Sequence, residues 1–148
     1  MGIVPFLIII YGLDEKPDWI EKKHHDLKHS YALTIAAPLE LMDKEKSIEM
    51  LETKAKTTFI KEIYDRALKQ IRISYDWSNL DEETKKIVID SLNISLSTYN
   101  FGFIKKQAIY EDKLNFEIYG LYSASNADID ATLQDIYEKV NNKVLESY

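Results

Sequence analysis

SLNISLSTYNFGFIKKQAIYEDKLNFEIYGLYS, residues 91–123, is the stretch whose reading decides the fold. Leu92, Ile94 and Leu96 alternate with small polar residues, as they would on a half-buried strand. The pattern then slips by one residue to Tyr99, Phe101 and Phe103. An extra residue between two alternating runs is the mark of a β-bulge, or of a strand passing from one environment to another. Glu111, Asp112 and Lys113 supply a polar turn. Leu114, Phe116, Ile118, Gly120 and Tyr122 then alternate back. The whole predicts a long β-hairpin.

Helical patterns stand on both sides of it. After Asp43, a plausible N-cap, Ile48, Leu51, Ala55, Phe59, Ile63, Ala67 and Ile71 recur at spacings of three or four. Ile60, Tyr64 and Leu68 widen that stripe beyond a coiled-coil seam, which suits a helix lying on a sheet. Asn79 with Glu82 reads as a capping box opening a shorter helix to about Asp90. Ser125 and Asp128 can cap a last helix, with Ile129, Leu133, Ile136, Val140 and Val144 as its stripe. Upstream, Tyr31, Leu33, Ile35 and Ala37 fall on one face of a strand stopped by Pro38.

The chain has 148 residues, 45% of them hydrophobic and 30% charged, which fits one ordinary globular body. That length can bury about two-thirds of its extended surface. Its formal charge is −6, a poor match for nucleic acid, whose phosphates call for Lys and Arg. Lys105 and Lys106 beside Phe101 and Phe103 imitate a nucleic-acid-binding sheet but lack a second basic and aromatic strand. The absence of cysteine excludes disulfides, thiolate nucleophiles and thiolate metal sites.

The run from Ile3 to Tyr11 is strongly apolar yet shorter than the roughly 20 residues a spanning helix needs. It lacks the basic flank and small-residue cleavage site of a signal peptide. It reads as a strand, a docking segment for a partner or membrane, or a segment left by processing.

Candidate chemistry is sparse. His25 and His29, four apart, with Glu21 as a third group, have zinc-ligand character, but no H-E-x-x-H motif is present and the stretch is highly charged. The acidic pairs Asp14 and Glu15, Glu82 and Glu83, Glu111 and Asp112 fall in turns or a helix's first turn, where the helix dipole favours them. No glycine-rich phosphate loop exists. Asn93-Ile94-Ser95 matches a glycosylation sequon by chance of three residues. No catalytic residue, cofactor or metal is expected. Tyrosine near the hairpin is abundant, and such residues bury ring area while keeping the hydroxyl wet. Tyr99, Phe101, Phe103, Tyr110, Tyr119, Tyr122 and Trp19 are therefore the candidate interface.

Pro17-Asp18-Trp19, the helix segment TKAKTTFIKEI at 53–63 and the hairpin end KLNFEIYGLY at 113–122 together resemble the twenty-kilodalton lipoprotein family of Helicobacter and Campylobacter, flagellum-associated members included. The likeness runs from about Pro17 to Asn142. Members usually carry a lipidated cysteine, which this chain lacks. The resemblance implies a non-enzymatic α/β body in envelope or flagellar assemblies, often self-associating, without cofactor. It implies periplasm or outer membrane; without it a cytoplasmic setting is the default.

The expectation is an α+β fold, an antiparallel sheet built around a long β-hairpin with one face covered by the long helix and the C-terminal helix. Residues 1–30 form an apolar arm and linker, and 31–148 one domain. The expected function is a structural or adaptor protein of the envelope, self-associating through the hairpin sheet or holding an envelope partner. Membrane contact requires lipidation or the N-terminal apolar segment. The alternative is a module binding a small apolar ligand in a pocket between sheet and long helix, lined by Tyr64, Phe101 and Trp77.

Overall fold

Residues 15–23, 26–36 and 43–147 are described by a computed structural model. The apolar run at 3–11, His24, His25 and Ala37 lie outside the described residues. In order the elements are α1 (Asp18–Glu21), β1 (His29–Ala36), α2 (Lys44–Ser74), a 3-10 turn (Trp77–Asn79), α3 (Glu82–Thr98), β2 (Lys105–Asp112), β3 (Glu117–Ser125) and α4 (Asn126–Glu146). The class is α+β, with a three-stranded antiparallel sheet in the order β1-β3-β2. The chain divides into two compact units. The first holds the described residues to Ala55 together with Lys105–Ser123, and the second holds Lys56–Ile104 with the residues from Ala124 on.

The first unit is organised by β3. As the central strand it is buried on both faces, from Ile118 to Ala124. β2 pairs antiparallel with it, Ile109 opposite Gly120 and Tyr110 opposite Tyr119, with an irregularity between Lys106 and Ala108. Gln107 sits in that step and donates from Nε2 to Ser123 Oγ at 2.7 Å. The bulge is thus in β2, not at the slip after Leu96.

Gly120 is the close point of this unit. A Cβ there would lie 2.7 Å from Tyr122 Cε2, 3.2 Å from Leu51 Cδ1 and 3.3 Å from Thr34 Oγ1. Its missing side chain is the space the Tyr122 ring folds into. Thr34 Oγ1 lies 3.4 Å from the carbonyl oxygens of both Leu51 and Gly120, as their donor. This corrects the face assigned to β1. Ala32, Thr34 and Ala36 are buried, while Leu33 and Ile35 are exposed. Alternation alone does not say which of two apolar faces turns inward. Here the side that meets Leu51 and Gly120 admits only small residues.

α2 opens as its sequence indicates, with Asp43 Oδ1 accepting the Lys46 N–H at 2.9 Å. Leu51, Ala55, Phe59, Ile63, Ala67 and Ile71 are all buried, and Ile48 is half-buried. At 3.6 residues per turn, a strict spacing of four advances the stripe by about 40° each step. The buried line therefore winds around α2, whose first turns belong to the first unit and whose remainder belongs to the second.

The second unit contains that remainder with α3 and α4, the latter two packed on each other. Residues 91–98, expected as a strand, are the end of α3. Thr84, Val88, Ser91, Leu92, Ser95 and Leu96 are buried, a helical stripe, while Ile94 is 63% exposed. The cap is Asp81, whose carboxylate accepts the Thr84 N–H at 2.6 Å, in place of the Asn79 and Glu82 pair. The slip after Leu96 is a helix end, with Tyr99 extended. α4 follows its pattern. Ser125 Oγ accepts the Asp128 N–H at 3.4 Å, and all five expected stripe residues are buried. Arg66 reaches Asp130 across α2 and α4 at 3.2 Å, and the Tyr75 hydroxyl donates to Asn141 Oδ1.

Gly120→Ala is expected to destabilise the protein by about 1–3 kcal/mol in urea unfolding, since the new methyl overpacks against Tyr122 and Leu51. Tyr122→Phe should do the reverse. The Tyr122 hydroxyl is buried without a hydrogen-bond partner among the described residues, so its removal is neutral or stabilising by up to about 1 kcal/mol.

Candidate functional site

The turn of the hairpin is built on one carboxylate. Asp112 ends β2 and is buried. Its Oδ1 accepts the N–H groups of Leu114 and Asn115, both at 3.1 Å, and Oδ2 accepts from Asn115 Nδ2 at 2.8 Å. Lys16 Nζ lies 3.5 Å from Oδ2. An aspartate that bonds the backbone two and three residues ahead fixes a tight turn. The Asn115 amide holds the Asp112 carboxyl below the usual range; burial opposes it, and the Asn115 N–H, the Lys16 charge and the Leu114 N–H add to it.

Neighbouring polar groups brace the same end. Lys16 also sits over the Tyr119 ring, 5.4 Å from its centroid. The Tyr119 hydroxyl donates to Glu117 Oε2 at 2.5 Å, which is the leading cause of its raised pKa. Lys44 and Glu111 pair at 3.5 Å.

This rigid turn presents apolar side chains to solvent. Leu114 is 68% and Phe116 72% exposed. The alternation puts both on the inward strand face, but they lie in the turn, ahead of β3. Phe116 has a φ of 53°. A bulky residue in the left-handed region is a true outlier.

The aromatic residues expected at an interface divide differently. Phe101, Tyr119 and Tyr122 are buried, and Tyr99, Phe103, Tyr110 and Trp19 are half-buried. Tyr110 and Tyr119 face each other across the strands at 6.2 Å between centroids. Tyr99, Phe101 and Phe103 form a tilted series at 5.4 and 5.9 Å. Trp19 lines a cleft of about 360 Å³ with Ile20, Tyr31, Leu33 and Leu121.

The apolar pocket expected from the sequence has a partial counterpart. A groove of about 590 Å³ in the second unit is lined by Tyr64 and Phe101, together with Ile60, Leu96 and Tyr99. It lies along α2 and the end of α3. Trp77 is absent from it; its ring takes Arg72 and Lys85 at 5.6 and 5.9 Å.

His29 serves a turn. The Asp26 carboxylate lies 3.3 Å from His29 Nδ1, and accepts the Tyr31 hydroxyl at 2.6 Å and the backbone N–H of Lys28 and His29. Among the described residues no group of three His, Asp or Glu is placed to hold a metal. No described helix is long and apolar enough to cross a membrane.

Asp112 gives the protein a definite acid response. Its folded pKa lies below the unfolded value of about 3.9, so its stabilisation is complete above that pH and is lost as pH falls through the folded value. Asp112→Asn should be less stable near neutral pH. Its urea midpoint should also fall less steeply than wild type below about pH 4; parallel curves would contradict this role. No family model, curated protein or solved structure matches the chain.

Proposed function

We propose that the protein is a non-enzymatic adaptor of the cell envelope that docks through its hairpin and takes a second copy of itself as partner. The observation that carries this is the strained, exposed Phe116. A left-handed conformation at a non-glycine residue costs roughly 1–2 kcal/mol. An aromatic ring 72% exposed recovers little of that by burial. Strain of this kind gathers at sites where a partner uses the geometry.

Leu114 beside Phe116 makes the tip a small apolar anchor on a turn already ordered by Asp112. A preorganised anchor loses little entropy on docking. The reading takes β2 and β3 as the hairpin at the heart of the sheet, with helices over one face. The envelope setting is supported by the resemblance of residues 17–142 to the lipoprotein family.

The discriminating variant is Phe116→Asn, since asparagine tolerates the left-handed region. It should raise monomer stability by about 1 kcal/mol and abolish the rise of light-scattering mass with concentration that this reading predicts for wild type. An unchanged mass profile, or a wild type that is monomeric at every concentration, overturns self-association through the tip.

A further inference from the structure

The groove of the second unit is left unused by hairpin docking. Its wall is apolar, formed by Ile60, Tyr64, Leu96, Tyr99 and Phe101, and its volume of about 590 Å³ lies within the usual range for small ligands. One charged side chain lines it, Lys61. In the same unit Lys85, Lys86, Lys139 and Lys143 each hold a carboxylate within 3.1–3.6 Å. Lys61 makes no ion pair with any described residue. No carboxylate lines the groove, although the chain carries a net charge of −6. Asn93 and Ser97, one turn apart on α3, supply polar groups at the lining.

An apolar trough with one unpaired cation and no competing anion suits a molecule with one acidic end and a hydrocarbon body. We propose that this groove binds a monocarboxylate with an apolar tail, of the fatty-acid class. The tail lies against Leu96, Tyr64 and Phe101. The carboxylate meets the Lys61 ammonium. Leu96 and Phe101 are buried and form the floor, and the half-buried Ile60, Tyr64 and Tyr99 carry the apolar surface open to a ligand. Lys61 is exposed, so it selects the charged head group while the apolar wall supplies most of the affinity.

The test is calorimetric titration of the full chain with decanoate, decanol and decyltrimethylammonium, each below its aggregation concentration. Decanoate should bind saturably at one site, with decanol roughly three- to tenfold weaker and the cation weakest. Lys61→Gln should bring decanoate down to the decanol affinity and leave decanol unchanged. Ser97→Trp, at an exposed helix position, fills the trough and should remove binding of both while thermal unfolding stays near wild type. Decanoate no tighter than decanol, an indifferent Lys61→Gln variant, or binding retained in Ser97→Trp overturns the proposal. So does a drop in solution mass caused by Ser97→Trp, which would make the groove an interface between copies.

Discussion

The first unit depends on an absent side chain. With hydrogen at Gly120, the Tyr122 ring can fold back along its own strand, and Leu51 of α2 can approach the sheet. Thr34 then reaches two carbonyl oxygens, one on the helix and one on the central strand, from a single hydroxyl. Helix, central strand and edge strand meet at this point. The small residues Ala32 and Ala36 follow from it, because the space at that face of β1 is already taken. Strand glycine is unfavourable by propensity, and its presence in a fully buried strand is explained by this close approach.

The second unit is governed by helix periodicity. α2 keeps a four-residue spacing over seven buried positions from Ser47 to Ile71, of which Phe59 onward belong to this unit, and α3 and α4 keep a mixed three-and-four spacing. Their caps are side-chain acceptors of backbone N–H groups, at Asp43, Asp81 and Ser125. Each removes one of the unsatisfied donors that a helix start exposes. The groove proposed as a ligand site follows from the same geometry. α3 ends at Thr98, the chain turns extended at Tyr99, and Phe101 is buried.

Much of this was legible in the residues. The stripe of α2 from Leu51 on, its Asp43 cap, the Ser125 cap and the stripe of α4 stand in the sequence as in the structure, while Ser47 takes the buried place expected of Ile48; long periodic runs have few competing interpretations. The inward set Ile118, Gly120 and Tyr122 was also plain. The end of α3 was not. Leu92, Ile94 and Leu96 alternate by coincidence, interspersed with serines that suit either element, and only Val88 and Leu92 four apart betrayed the helix. The side of β1 that turns inward depends on Gly120, 86 residues from Thr34 in the chain, which no local pattern records. The turn, by contrast, does carry a local signal. Asp112 followed by Asn115 is an aspartate-turn signal, and reading it would have moved Leu114 and Phe116 out of the strand. Lys61 falls outside the apolar stripe of α2, and only the neighbouring α3 makes it the lip of a groove.

Lys54 Nζ donates to the Ile35 carbonyl oxygen at 2.6 Å, near the end of edge strand β1. Exposed strand borders with apolar side chains such as Leu33 and Ile35 invite recruitment into amyloid-like stacks. An ammonium seated on one of those acceptors acts as a guard: an incoming β-segment must first evict a charged, hydrated group before it can zip onto that border.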